Sequence, residues 1–269
     1  MVFELKETGR AAQLFEGWQE TMIWSCLQKV MGKIYVDSLD EPVSAMALLA
    51  DFCFFAGKPD AELVEYLGWR NGQAQEGSWP ENSQGIIMVP QNREWGALIE
   101  NCYGERAGKV TRYAFRKEPD VFDKKKLQTA ADSLPDGYTM KMLDEELFLR
   151  CREIPWCRDW VSQYEDYAMY QKYGLGVVAL KDGEPVSGAS SYTSYHGGIE
   201  IEIDTREDHR RKGLACACGA KLILECLERG WYPGWDAQNK WSAALAEKLG
   251  YHFDGEYTAY EVQPVRKNI

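Results

Sequence analysis

Ile199-Glu200-Ile201-Glu202-Ile203-Asp204-Thr205, followed shortly by Arg210-Arg211-Lys212-Gly213-Leu214-Ala215, decides the fold. The first stretch alternates apolar and polar residues at the period of a strand with one covered face. The second is a basic turn that opens a strongly apolar helix at a glycine. The first N–H groups of a helix have no intrahelical partner and lie at the positive end of the macrodipole. Gly213 lets the main chain approach a bulky diphosphate, and Ala215 keeps the first turn narrow. Arg210, Arg211 and Lys212 add charge-assisted hydrogen bonds to phosphate. The run therefore reads as a cradle for a phosphorylated ligand held mainly by main chain. Taken alone it is equally well a solvated basic surface.

A second segment separates these readings. Asn239-Lys240-Trp241-Ser242-Ala243-Ala244-Leu245-Ala246-Glu247-Lys248-Leu249-Gly250-Tyr251 follows a short apolar stretch. It reads as a helix capped by Asn239 and ended by Gly250. Together the two segments resemble the GNAT superfamily of acyl-CoA-dependent N-acetyltransferases. That family carries an R/Q-x-x-G-x-G/A loop, matched by Arg210, Gly213 and Ala215. It later carries a helix matched by Asn239, Ser242, Leu245, Lys248, Leu249, Gly250 and Tyr251. The resemblance covers roughly residues 135–262. More loosely, the chain is similar to a bacterial subfamily that includes antibiotic-resistance acetyltransferases of the zwittermicin-resistance type. The resemblance implies acetyl-CoA as cosubstrate and a small-molecule amine as acceptor. It places Ile203, Asp204, Thr205, Arg210, Arg211, Lys212, Gly213, Leu214, Ala215, Asn239 and Ser242 along the cofactor.

Composition is consistent with that class. At 269 residues the chain is long enough for one or two domains with their own cores, and 45% hydrophobic residues argue against disorder. No apolar run approaches the roughly 20 residues of a membrane span, and the amino terminus lacks a signal-peptide pattern. A cytoplasmic protein that does not engage membranes is expected. The net charge of −11 argues against nonspecific nucleic-acid binding and suits a cationic acceptor. Eight cysteines without a secretory signal read as reduced thiols. Cys216 and Cys218 point to different faces of one helix and read as packing; His196, His209 and His252 have no ligand-like spacing. No metal is expected.

The carboxyl half predicts a mixed α/β sandwich, a GNAT-like sheet flanked by helices. Gly137–Leu143 reads as a strand, with helical segments over Asp144–Cys151 and Trp156–Tyr173. Gly176–Leu180 and Pro185–Tyr195 read as a hairpin across Asp182-Gly183, a pair suited to a tight turn. Ile199–Thr205 is the next strand and Lys212–Arg229 the helix after it, with Leu214, Cys218, Leu222 and Cys226 on one stripe and Gly230 as its cap. Trp231–Asp236 is a short strand, and Tyr257–Val262 closes the sheet.

The amino half echoes this pattern. Glu41-Pro42-Val43-Ser44-Ala45 parallels Glu184-Pro185-Val186-Ser187-Gly188, and Gln91-Asn92 ahead of a helix parallels Gln238-Asn239. Two echoes in the same order suggest an internal duplication. The first copy lacks the ligand loop, because Ala56-Gly57-Lys58-Pro59-Asp60-Ala61 has no R-x-x-G-x-A match and Pro59 removes a backbone donor. A tandem is expected: residues 1–125 as a degenerate GNAT-like domain that supports the other or shapes the acceptor pocket, and residues 126–269 as the acetyltransferase domain. The charged stretch Glu118–Lys126 reads as the linker.

The implied chemistry is direct acetyl transfer. An ammonium ion is not nucleophilic, so a base must take its proton before attack on the thioester. The resemblance points to Glu200 or Glu202, without ranking them. Asp204 shares their face, and three neighbouring carboxylates raise one another's pKa. A solvated strand face or an electrostatic subsite for a cationic acceptor are the other readings of the same residues. One departure matters: the tyrosine that many family members use as general acid falls at Ala246. That leaves a noncatalytic acyl-CoA-binding or sensing module as the alternative function.

Overall fold

The computed structural model of the chain describes residues 1–66 and 85–263. The chain forms two units, Met1–Arg112 with the segment from Glu256 onward, and Tyr113–Gly255.

In the first unit the elements run β1 (Phe3–Glu4), α1 (Thr21–Gln28), β2 (Lys33–Val36), β3 (Ser44–Leu49), β4 (Phe52–Gly57), α2 (Ala61–Glu65), β5 (Ile86–Pro90) and α3 (Arg93–Tyr103). Then comes β6 (Ala107–Phe115), which runs through the boundary. Strands β1 to β4 pair antiparallel in sequence order, and β4 pairs parallel with β5. The runs Ser-Ala-Met-Ala-Leu-Leu and Phe-Cys-Phe-Phe-Ala are almost wholly buried, as expected of strands covered on both faces. Met46, Phe55, Leu63, Met88, Trp95 and Ile99 form the core between this sheet and its helices.

The second unit continues with α4 (Lys124–Ala131), β7 (Thr139–Met142), α5 (Glu145–Glu153), α6 (Tyr167–Tyr173), β8 (Gly176–Lys181), β9 (Glu184–Tyr195) and β10 (Gly198–Thr205). It ends with α7 (Leu214–Glu228), β11 (Tyr232–Gly234), β12 (Asp236–Ala237) and α8 (Lys240–Leu249), and the last strand, β13 (Phe253–Val262), runs through the boundary into the first unit. Its sheet has the order β11-β10-β9-β8-β7. Three antiparallel pairings are again followed by one parallel pairing, here β10 with β11. The strand plan of the first unit is thus repeated in the second, as a tandem requires. Between β8 and β9, Asp182 and Gly183 both have positive φ, the turn their sequence specifies. Helix α7 is buried well beyond the expected stripe: Cys216, Ala217, Gly219, Ala220 and Ile223 are covered as well as Leu214, Cys218, Leu222 and Cys226.

Three features differ from the sequence reading. The division falls at two points, after residues 112 and 255, where the sequence suggested one near 125. Strand pairing explains this: residues 260–262 pair with β5, while Tyr113 and Ala114 pair with β12. The stretch Glu118–Lys126 is not wholly a linker, because Asp123 accepts hydrogen bonds from the amides of Lys125 and Lys126 and starts α4. Leu127 and Ala131 then bury into the second core at helical spacing. Finally, Trp156–Tyr173 is not one helix. A short 3-10 turn at Arg158–Trp160 precedes α6, which Asp166 starts afresh by accepting from the Met169 amide.

Candidate functional site

The parallel pair β10–β11 is hydrogen bonded only from Gly198↔Tyr232 to Glu200↔Gly234. Beyond Glu200, β10 continues to Thr205 with β9 alone on its ladder. The chain leaving β11 turns away: Trp235 is buried, and Asp236 and Ala237 pair with the end of β6. The two parallel strands therefore separate toward their carboxyl ends, where α/β sheets place their ligands. Helix α7 starts from the loop after one strand and α8 from the segment after the other.

Each helix start has its own chemistry. Among the described residues seven α-helices begin with a side chain accepting from their first amides: Glu20, Asp60, Asn92, Asp123, Asp144, Asp166 and Asn239. Helix α7 has no side-chain cap; Gly213, at φ +83, stands at the cap position. A Cβ built on Gly213 would meet nothing within 4 Å, so the space at this helix start is open on that side. This suits an anion held by main chain. The preceding turn is folded on itself, since Arg210 Nε donates to the Thr205 carbonyl (3.3 Å) and Lys212 Nζ to the Asp208 carbonyl (3.1 Å). Arg211 is exposed, with φ +61 that is unusual for a residue with a Cβ. Leu214 buries its side chain in the core, leaving only its main chain to a ligand, and Ala215 is half-buried.

On α8, Asn239 Oδ1 accepts from the Trp241 and Ser242 amides (3.0 and 2.9 Å), and Ser242 Oγ accepts from Trp235 Nε1 (3.1 Å). Both residues hold the helix start in place. Ala246 is fully buried, so the family's tyrosine position is filled by core. Tyr251 does not replace it: its hydroxyl donates to the Pro233 carbonyl (2.8 Å), and burial pushes its pKa well up. Tyr260, in the first unit, donates to Glu100 (2.6 Å).

The two faces of β10 are chemically distinct. Ile199 and Ile201 lie in the core, and Ile203 packs where a Cβ on Gly219 of α7 would meet it at 3.3 Å. The Thr205 hydroxyl bonds Ser187 Oγ (2.7 Å). Glu200, Glu202 and Asp204 alternate with these residues and share the opposite face. Glu200 is buried, at the last rung before the strands part. Glu202 and Asp204 are hydrogen bonded to each other. Burial raises the Asp204 carboxyl to about 6, helped by the nearby Asp159 charge and opposed by the Glu202 hydrogen bond and Arg210. Across the ladder Asp204 faces Gly188 and Glu202 faces Ser190. Trp160 lies on Gly188, and Ser190 Oγ donates to the Trp160 carbonyl (2.7 Å). Asp159 and Trp160 carry no sequence signal for this placement; only the tertiary fold brings them to the strand.

The first unit treats the corresponding strand pair differently. β4 and β5 are paired from Phe52↔Ile87 through Phe55↔Pro90. Past that point the Gly57 amide donates to Gln91 Oε1 (3.0 Å) and Trp95 Nε1 donates to the Gly57 carbonyl (2.9 Å). Gln91 Nε2 donates to the Leu14 carbonyl (2.8 Å). Side chains of the unit itself thus occupy the end of this strand pair.

The second unit thus brings together an uncapped helix start at Gly213, parting parallel strands and a line of carboxylates on β10. The chain belongs to the GNAT acetyltransferase family, whose sequence model matches residues 12–260. It is 46% identical to the GCN5-related N-acetyltransferase-like protein of Streptococcus suis 89/1591; that crystal structure superposes with a TM-score of 0.87, covering 96% of this chain and 99% of the other. It is 28% identical over 248 residues to the uncharacterized N-acetyltransferase YdfB of Bacillus subtilis, 89% of each chain. A tandem GNAT protein from the clavulanic acid biosynthesis pathway shares the fold, with a TM-score of 0.53 at 12% identity over the whole of both chains. Among the described residues no helix is long and apolar enough to cross a membrane.

Proposed function

We propose that the chain transfers the acetyl group of acetyl-CoA to an amine of a small polar acceptor, with the chemistry in the second unit. The carrying observation is the parting of β10 and β11 after Glu200, with the open Gly213 loop at its mouth. The diphosphate would take the first amides of α7, with Arg210, Arg211 and Lys212 supplying positive charge around it. The pantetheine arm would lie along β10 from Thr205 toward Ile201, where the β11 ladder has ended, and reach the start of α8 at Asn239 and Ser242. This directs the thioester toward Glu200 and Glu202.

The acceptor enters as an ammonium, and a β10 carboxylate, Glu200 or Glu202, takes its proton. The neutral amine attacks the thioester carbonyl, the C–S bond breaks as the amide forms, the second nitrogen proton passes to solvent, and the thiolate takes a proton from solvent in turn, because Ala246 offers none. The Asp204 carboxyl, raised to about 6 by burial and hydrogen bonded to Glu202, places a group that takes up and releases a proton near neutrality beside the proposed base. An acidic face with Asp159 beside it favours a cationic acceptor. In the first unit, Gln91 and Trp95 fill the end of β4–β5, which supports its reading as a degenerate copy holding no second cofactor.

Thiol release from acetyl-CoA across a panel of polyamines, aminoglycosides and amino sugars tests the reading. Amine-dependent release is expected. Binding of acetyl-CoA with no release on any amine would make the chain a binding module instead.

A further inference from the structure

His209 lies at the end of the 3-10 turn Glu207–His209, directly ahead of the basic loop, and is nine-tenths buried. Both of its ring nitrogens have partners. Nδ1 lies 2.8 Å from the Tyr138 hydroxyl, on the residue that leads into β7. Nε2 lies 2.8 Å from Arg206 Nη2 and 3.4 Å from Asp208 Oδ2. A guanidinium only donates, so Nε2 must accept. The ring proton of the neutral imidazole is therefore on Nδ1 and is donated to Tyr138. Arg206 is further held by Asp208 through two bonds, 2.7 and 2.9 Å, and its amide donates to the Val186 carbonyl on β9 (2.9 Å). The Arg206 hydrogen bond keeps the Asp208 carboxyl below its usual range. The His209 amide donates to the Arg206 carbonyl (2.9 Å), and the Asp208 carbonyl takes Lys212 Nζ (3.1 Å).

These bonds join the approach to β7, the strand β9 and the turn 206–212 through one imidazole. The ring also stands edge-on to Tyr138, at 5.6 Å between centroids. Arg206 is engaged by Asp208 and His209. Arg210 follows His209 directly in the chain, and Arg211 after it has φ +61.

We propose that His209 is a positioning residue for the cofactor loop: its two ring hydrogen bonds, to Tyr138 and Arg206, hold the Arg210–Gly213 turn in the shape that receives the diphosphate. This rests on the acetyl-CoA reading above. His209 makes no contact with reacting atoms, so its removal acts on cofactor binding and leaves the chemical step alone.

The test compares wild type, His209→Phe, His209→Gln and Tyr138→Phe by calorimetric titration with acetyl-CoA, thermal unfolding, and kinetics on an active amine. Phe keeps the ring and loses both hydrogen bonds; Gln keeps one donor and one acceptor. Expected for His209→Phe is a rise in Kd and KM for acetyl-CoA of about tenfold, with kcat within about twofold. His209→Gln recovers most of the affinity. Tyr138→Phe, which loses only the bond farthest from the loop, gives a smaller rise and stands in should His209→Phe not fold. A folded His209→Phe protein with wild-type Kd, or with lowered melting temperature alone, would overturn the proposal and leave the acetyl-CoA reading standing. Failure of wild type to bind acetyl-CoA would overturn that reading and this inference with it.

Discussion

Replacing Gly213 by alanine separates the loop's folding from its binding. Gly213 sits at φ +83, where a Cβ is strained by roughly 1–2 kcal/mol. The more restricted unfolded chain returns about 0.4–1 kcal/mol of this. No protein atom lies within 4 Å of the new methyl, so no packing clash is added. The net loss of stability is then about 1 kcal/mol, a fall in melting temperature of roughly 2–5 °C. The effect on binding is larger. In the proposed cradle the methyl would take space that a phosphate oxygen needs to reach the first amides of α7. Losing one or two charge-assisted hydrogen bonds, at about 1.5–3 kcal/mol each, weakens acetyl-CoA binding by about tenfold to a thousandfold or more. Calorimetric titration and thermal unfolding on the same preparations measure both. An alanine variant that melts a few degrees lower yet binds acetyl-CoA like wild type would refute the cradle.

Three further outcomes are expected. Asp204 has a folded pKa of about 6 against about 3.9 unfolded, so the native state binds the extra proton between those values. Stability contributed by this group is present below about pH 4, falls as pH rises to about 6, and stays lower by roughly 2–3 kcal/mol above. Asp204→Asn should therefore gain stability over wild type at pH 7.5 relative to pH 4 in urea titrations; a pH-independent difference would contradict this. Glu200→Gln and Glu202→Gln, tested singly, should leave acetyl-CoA affinity unchanged while the one that removes the base lowers kcat by about 10²–10⁴-fold; two variants with unaltered kcat would remove both residues from catalysis. Gly188→Ala would place its Cβ 2.6 Å from Trp160 Cη2 and should lose about 1–3 kcal/mol, whereas Gly255→Ala, with nothing within 4 Å, serves as a neutral control in the same denaturation assay.

What the sequence disclosed was local. The alternation through Ile199–Thr205, the Asp182-Gly183 turn and the Asn239 cap each specify their structure within a few residues, and each formed as read. Helix α4 was hidden because three consecutive lysines mask the Leu127–Ala131 spacing that buries it. The breadth of burial on α7 was hidden too, since α4 is the element packed on its outer side. At the site, the carboxylates of β10 were legible from alternation, but the Glu202–Asp204 bond and the nearby Asp159 charge depend on burial and on a distant 3-10 turn. His209 stood beside the loop in the sequence and still gave no sign of its role. Its partners Tyr138 and Arg206 lie on either side of the intervening β7–β10 segment, and only the fold joins them.

The most direct test of the account is a calorimetric titration of the wild-type chain with acetyl-CoA. One molecule bound per chain is expected, from the open loop of the second unit and the filled strand end of the first. No detectable binding would contradict the proposed function at its base, and two molecules per chain would contradict the reading of the first unit as a degenerate copy.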